Sequence, residues 1–312
     1  MDDVATINPV KDSSLAMMLE ATRRQWEIYT FDASDCFADV DGVYARTSKT
    51  TVTSNPKCWF EKQSNQTMPL TAFSLILMRK DPPFNMDYIY TTYLLEQAEK
   101  AGVLVVNKPQ SLRDANEKLF ALNFPQCLPK TLVSSQAAQI KTFIAKQQTA
   151  IVKPLDGMGG HDIFKLSAND PTINTTLKRL THQGTRLIMA QQFLPAIAKG
   201  DKRILLIDGK PIDYALARIP AKNNFKGNLA AGAQGVGQPL SKRDYWLCQQ
   251  IAPTLKAKGL LFVGLDVIGN YITEINVTSP TCIRELDQQF NLNIAGILFD
   301  VIEKRLSTVA TQ

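Results

Sequence analysis

The stretch from Leu261 to Val277, LFVGLDVIGNYITEINV, permits few arrangements. Two runs of alternating apolar residues flank Gly269 and Asn270, the pattern of an antiparallel strand pair. Side chains alternate across a strand with period two, so a one-residue slip turns every side chain over. Val263, Leu265, Val267, Thr273, Ile275 and Val277 are expected to share the buried face. A two-residue turn at 269 and 270 would set Asp266 opposite Thr273 and point it away from Glu274. A three-residue loop at 269 to 271 sets Asp266 directly opposite Glu274. The apolar pattern selects the odd-length loop, with a bulge, and so gathers Asp266, Glu274 and Asn276 on the other face.

Three oxygen-bearing side chains on one face suit a hard cation such as Mg²⁺, which takes one or two carboxylates plus substrate phosphates. A solvated polar face on an ordinary hairpin has the same pattern, and a phosphate loop nearby would decide between them. IVKPLDGMGGHDIFKL, 151 to 166, is a candidate. Lys153 ends an apolar strand, and the DGMGG turn after it lets backbone N–H groups approach an anion. The order is reversed from G-x-x-x-x-G-K-[ST], and that motif occurs nowhere in the chain, which excludes a P-loop kinase. A lysine on a strand beneath a flexible glycine loop is also how protein kinases hold ATP phosphates. Taken alone, the glycine turn also reads as a tight hairpin. Lys118, read on a helix, is either a second cation for phosphates or a surface lysine. Arg203 and Arg218 interrupt the apolar strand patterns KRILLI and ALARIP. They lie at a sheet surface or aim planar guanidinium forks at an anion.

These segments sit in a chain of alternating elements. A helix over 12 to 25, capped by Asp12 or Ser13, is followed by a strand in FSLILM, a helix over 87 to 101 and a strand in VLVV. A helix is expected from SLRD to about 122, with Ser111 and Asp114 as a capping box. This alternation indicates a parallel α/β lobe over 1–122, entered at a helix with no apolar strand before it. A small α+β unit is expected over 123–195. A third unit over 196–312 holds the hairpin, a long helix over 241 to 258 and a last helix over 293 to 306. Residues 222–237, KNNFKGNLAAGAQGVG, form a long glycine-rich loop, a candidate lid.

Bulk properties narrow the chemistry. The 312 residues carry a net charge of +6, spread along the chain without an arginine–lysine block. That favours small anionic substrates over nucleic acid. No apolar run approaches the roughly 18 to 20 residues that cross a bilayer, and MDDVATINPV is no signal peptide, so a cytoplasmic protein is expected. The 5 cysteines form no C-x-x-C pair, against a disulfide framework or a zinc site, and Cys282 reads as a small buried hydrophobe. The 2 histidines have no partner at metal or triad spacing.

RKDPPF, NKPQSLRDANEKLF, KPLDGMGG, GDKR, ARIP, GNLAAG, GLDVIG and TEINVTSPTCIRE occur in this order and spacing. Over nearly its whole length the chain resembles bacterial glutathione synthetases of the ATP-grasp fold. TEINVTSPT with LMRKDPPF is the specific part; KPLDGMGG alone indicates only the superfamily. The resemblance implies that ATP is pinched between two antiparallel sheets. It places Lys118 and Lys153 on the phosphates, with the loop of Asp156, Gly157, Gly159 and Gly160 above them. It places Gln191, Gln192, Phe193 and Leu194 at the adenine. It makes Asp266, Glu274 and Asn276 ligands of Mg²⁺, for which Mn²⁺ can substitute, and turns Arg203 and Arg218 toward the reacting groups. The implied reaction joins γ-glutamylcysteine to glycine through an acyl phosphate, with ADP and phosphate released, in a homotetramer. Glycine arrives as an ammonium, and none of these residues is assigned to take its proton.

Three departures from the family pattern stand out. The family's chains open with an apolar strand before the segment matching VATINP, so this lobe is expected to lack its first strand. Lys226 replaces a lid arginine, and Ala233-Gln234 replaces Gly-Arg, each removing a guanidinium from the loop. Alternatives are another ATP-grasp carboxylate–amine ligase, such as a dipeptide ligase, or a homologue that binds ATP but is inactive for want of the first strand.

Overall fold

Asp12 starts the first helix. Its carboxylate accepts the Leu15 N–H at 2.7 Å, and α1 (Ser13–Arg23) follows, with Leu15, Met17, Met18 and Ala21 buried. The computed structural model describes residues 1–221, 227 and 232–309. After α1 comes an antiparallel sheet of β1 (Tyr29–Thr30), β2 (Cys36–Ala38), β3 (Val43–Val52), β4 (Phe60–Lys62) and β5 (Gln66–Pro69), all paired to β3. The sequence reading has no elements here. The reason is β3, where Ala45 and Thr47 are buried on one face and Ser48, Thr50 and Val52 on the other, so the buried side changes midway and hydroxyl residues interrupt the apolar alternation. Thr30 and Thr50 satisfy each other's hydroxyls at 2.8 Å.

β6 (Leu75–Leu77) and β7 (Leu104–Val106) then pair in parallel, Leu75 with Leu104, joined by α2 (Met86–Lys100). Parallel pairing needs such a crossover, and Asn85 caps the helix by accepting the Tyr88 N–H. Beside β6 lies a cavity of about 580 Å³ walled by Met17, Ala21, Trp26, Leu75, Leu77 and Phe299. Within the described residues, β6 pairs only with β7.

The helix expected to reach residue 122 is much shorter, because α3 (Pro109–Asp114) ends at Asp114. Ser111 forms no capping box; its hydroxyl donates to the Lys258 carbonyl. The Asn116 side-chain oxygen accepts the N–H groups of Lys118 and Leu119, and this local bonding replaces the helical ladder. Lys118 therefore lies in a turn.

The second sheet contains β8 (Thr131–Ser134), β9 (Thr149–Pro154), β10 (Phe164–Ser167) and β11 (Ile188–Gln192) in the order β10-β9-β11-β8, all antiparallel. Helices α4 (Ala137–Gln147) and α5 (Ile173–Leu180) cover one face, where Ile140, Ile144, Ala150, Val152, Leu177 and Ile188 form the core. Period two then sends Ile151 and Lys153 to the opposite face.

The third sheet runs β14-β13-β12-β15-β16, from β12 (Asp201–Ile207), β13 (Lys210–Ile219), β14 (Gln234–Pro239), β15 (Phe262–Ile268) and β16 (Tyr271–Asn276). Helix α6 (Lys242–Ala257), started by a Ser241–Asp244 capping box, packs on it with α7 (Ile283–Phe290) and α8 (Ile294–Val309). The glycine-rich stretch 222–237 is only partly loop, because Gln234 opens β14. Lys226 and most of the candidate lid lie outside the described residues. No described helix is long and apolar enough to cross a membrane, and all five cysteines are free.

The hairpin reaches the expected pairing by a different route. Asp266 stands opposite Glu274, and Gly264 opposite Asn276. The turn, however, has two residues, with Ile268 paired to Tyr271 and Gly269 at φ +59 in the position a type II′ turn reserves for glycine. The odd residue is absorbed as a bulge between Val267 and Asp266, so Ile272 takes the inward place expected for Thr273.

Candidate active site

A cavity of about 110 Å³ lies between the second and third sheets. β9 supplies Ile151 and Lys153, the turn after it Gly157, Gly159 and Gly160, and the end of β11 with the residues beyond it Gln191, Gln192, Phe193 and Leu194. Lys118, Asp266, Thr273 and Glu274 line the same space. Asp156 does not line it; its carboxylate pairs with Arg186 instead. Asn276, Arg203 and Arg218 are also outside the lining; the two arginines pair with Asp266 and Asp201, which belong to it.

The bulge gives Lys153 its partner. Thr273 turns its carbonyl out of the ladder, and the Lys153 ammonium donates to it at 3.2 Å. Burial pushes the Lys153 pKa down, and Glu274 only partly offsets this. Lys118, 4% exposed, donates to the Gly157 carbonyl and to Glu274 Oε1, both at 2.8 Å. Burial works against that ammonium too, but the Glu274 carboxylate outweighs it and the Lys118 pKa rises.

Register assembles a second network under the hairpin. Asp201 and Arg203 are two apart on β12 and share a face. Asp201 pairs across the sheet with Arg218 of β13, and Arg203 with Asp266 of β15. Arg203 grips Asp266 in a fork, Nε to Oδ1 at 2.6 Å and a terminal nitrogen to Oδ2 at 3.1 Å. Arg218 bridges Asp266 Oδ2 at 3.0 Å and Asp201 Oδ2 at 2.6 Å. Burial drives the Asp266 carboxyl up, and the two guanidiniums more than reverse this, holding it well below the usual carboxylate range. Asp201 differs: burial raises it to about 7, with Arg218 opposing and Asp266 adding to the rise. Its Oδ1 is buried and has no hydrogen-bond partner among the described residues. Gly264 makes room for the arginine, since a Cβ there would meet Arg203 Cδ at 2.9 Å and Pro280 Cβ at 3.0 Å.

The donor set fits a divalent cation of the magnesium type. Asp266 and Glu274 are a direct cross-strand pair, and Asn276 follows on the same face. The Asn276 amide nitrogen donates to the Gly264 carbonyl at 3.2 Å, which commits the nitrogen and leaves the oxygen as the ligating atom. Among the described residues no cluster of three or more His, Cys, Asp or Glu could hold a metal alone. Two carboxylates and an amide need phosphate oxygens to complete the shell, the usual situation for Mg²⁺.

Sequence reasoning missed Asp201, Asn116 and Glu117. Asp201 was within reach, as a carboxylate two residues before Arg203 on a strand. Asn116 donates to the Leu155 carbonyl at 3.0 Å, and Glu117 binds the backbone after β16; neither contact leaves a mark in the local pattern.

Comparison with known proteins accounts for this architecture. The family model of the prokaryotic glutathione synthetase N-terminal domain matches residues 1–113, and that of its ATP-grasp domain residues 117–291. The glutathione synthetase of Pseudomonas syringae pv. tomato is 56% identical over 306 residues, 98% of this chain and 96% of that protein. The glutathione synthetase of Coxiella burnetii is 51% identical over 308 residues, 99% and 96% of the two chains. Among solved structures, the ATP-grasp ligase PsnB with a minimal precursor superposes at TM-score 0.61 over 95% of each chain at 19% identity. The D-cycloserine synthetase DcsG does so at 0.61 over 77% of this chain and 86% of its own, at 15% identity. At those identities the superpositions show the ATP-grasp fold and no more. With both domain models in order along the chain, and relatives sharing half their residues end to end, this chain belongs to the prokaryotic glutathione synthetase family.

Proposed function

We propose that this chain is an ATP-dependent carboxylate–amine ligase that joins γ-glutamylcysteine to glycine. The observation that carries the reading is the convergence of Lys118 and Lys153 on the Asp266–Glu274 pair at one cavity between two antiparallel sheets. The family's identity of 51–56% over nearly the full chain supports this choice of substrates. The cysteinyl carboxylate attacks the γ-phosphorus of ATP, ADP departs, and an acyl phosphate remains. The glycine amine then attacks that carbonyl, and phosphate leaves.

Asp266, Glu274 and Asn276 would hold Mg²⁺, which when bound offsets charge on the phosphate oxygens. Lys153, buried with one carbonyl as its partner, exchanges that contact for a phosphate oxygen with little loss. Lys118 holds the Glu274 carboxylate in place and pins the glycine loop at Gly157. Arg203 and Arg218 lock the Asp266 carboxylate in one orientation and supply positive charge where the transferring phosphoryl becomes more anionic. Gln191 to Leu194 provide the edge on which adenine lies. We also propose the division 1–122, 123–195 and 196–312, in keeping with three groups of sheets, and a cytoplasmic homotetramer, for which the family resemblance is the support.

The test is ADP release with ATP and Mg²⁺, first with γ-glutamylcysteine and glycine together and then with each omitted. Turnover that requires both is the expected result. Turnover with a different carboxylate–amine pair, and none with this one, would reassign the substrates.

A further inference from the structure

Glu117 makes four contacts that straddle Asn276. Its backbone carbonyl accepts the Ile275 N–H at 2.9 Å. Its Oε1 accepts three more, from Val277 N at 2.8 Å, Thr278 N at 2.9 Å and Thr278 Oγ1 at 2.8 Å. One residue thus fixes the backbone immediately before and after Asn276, at the point where β16 ends and no ladder partner continues. The residues on either side of Glu117 reach elsewhere. Asn116 holds the Leu155 carbonyl, and Lys118 holds the Gly157 carbonyl together with Glu274. The segment 116–118 is a splint between the glycine loop after β9 and the strand that carries Glu274 and Asn276.

We infer that Glu117 is a positioning residue for the metal–phosphate site. Its carboxylate sets the backbone through Asn276, and with it the direction of the Asn276 oxygen, while its neighbours tie that strand to the loop over the phosphates. Three hydrogen bonds gathered on one carboxylate oxygen leave the backbone little freedom. Partners of metal ligands in other proteins typically change metal affinity 10- to 100-fold when removed. The inference rests on the reading of Asp266, Glu274 and Asn276 as metal ligands.

The experiment is Mn²⁺ binding in the presence of ADP, followed by the electron paramagnetic resonance of free Mn²⁺. ADP affinity without metal and the melting temperature are measured alongside. Glu117→Ala is expected to weaken Mn²⁺ binding about 10- to 100-fold and to leave metal-free ADP affinity unchanged. Glu117→Gln, which keeps an acceptor oxygen, is expected to weaken it less and serves as the test if the alanine variant does not fold. Glu274→Gln and Asn276→Ala are the controls. If these two weaken Mn²⁺ binding while the Glu117 variants bind like the parent, Glu117 is structural and the inference falls alone. If the controls themselves bind Mn²⁺ normally, the metal-site reading falls and takes this inference with it.

Discussion

Lys153 and Asp201 show what single residues of this site contribute. Lys153 is a desolvated ammonium with one carbonyl partner, so the free protein gains little from it. Replacing a buried charge by an apolar group of similar shape is often neutral or stabilising. Lys153→Met is therefore expected to hold or raise the melting temperature while kcat/KM falls about 10²- to 10³-fold, the usual loss for one oriented donor. Activity within tenfold of the parent would remove Lys153 from the phosphates. Asp201 carries a pH signature. Its folded pKa of about 7 lies above its unfolded value, so the folded state holds the extra proton. Stability from this group is present below pH 4 and declines as pH rises from about 4 to 7. In the free protein, Asp201→Asn is expected to remove that decline, so the variant's melting temperature gains on the parent's between pH 5 and pH 8. A difference that stays flat with pH would show that Asp201 is ionised throughout. The sequence exposed Lys153, whose glycine turn adjoins it in the chain. It hid Glu117, whose partners stand 160 residues away and meet it only after two lobes have packed.

At the level of elements, alternation chose the correct face of the hairpin but the wrong turn, a three-residue loop where the structure has two residues and a bulge. Both a three-residue loop and a two-residue turn with a bulge bring Asp266 opposite Glu274. The second prevails because a glycine with positive φ matches the twist of the flanking strands. It also buries Ile272 in place of Thr273, and an isoleucine gains more from leaving water than a threonine that must also satisfy a hydroxyl. The bulge in turn frees the Thr273 carbonyl for Lys153, a contact the three-residue loop gave no reason to expect. The helix expected after SLRD fails for a related reason, since Asn116 captures two N–H groups that a helix would need. Gly264 tests the sheet itself. Gly264→Ala would force the Arg203 side chain or Pro280 aside. The expected cost is about 1–3 kcal/mol of stability from overpacking, together with a fall in kcat as Arg203 is displaced from Asp266. Stability and kcat both equal to the parent's would mean that Arg203 needs no such clearance.

For the whole molecule, the sequence gives the succession of lobes and conceals how they are fastened. Strand–helix alternation marks the parallel lobe, and the paired strands mark the two antiparallel sheets. Contacts between lobes include those of Asn116, Glu117 and Lys118, in a segment whose pattern suggested only a continuing helix. Those contacts govern access. The cavity of about 110 Å³ is well below the roughly 300–1,000 Å³ of typical small-molecule sites, so binding a nucleotide calls for a wall to move, and the glycine loop is expected to lift. Three side chains hold the loop, Asn116 at Leu155, Arg186 at Asp156 and Lys118 at Gly157, and two of them belong to the 116–118 splint. A hydrogen bond nets about 0.5–1.5 kcal/mol, which as a change in a local opening equilibrium is about 2- to 10-fold. Asn116→Ala is thus expected to speed amide hydrogen exchange over 155–160 by about that factor, and Lys118→Met to do the same. Exchange in the core strands of the second sheet should stay as in the parent. MgADP should slow exchange over 155–160 in all three proteins, since ligand bound beneath the loop opposes its lifting whichever latch is missing. Unchanged exchange over 155–160 in both variants would show that the loop is held by its own turn and by Arg186 at Asp156, and that the splint at 116–118 does not control admission of the nucleotide.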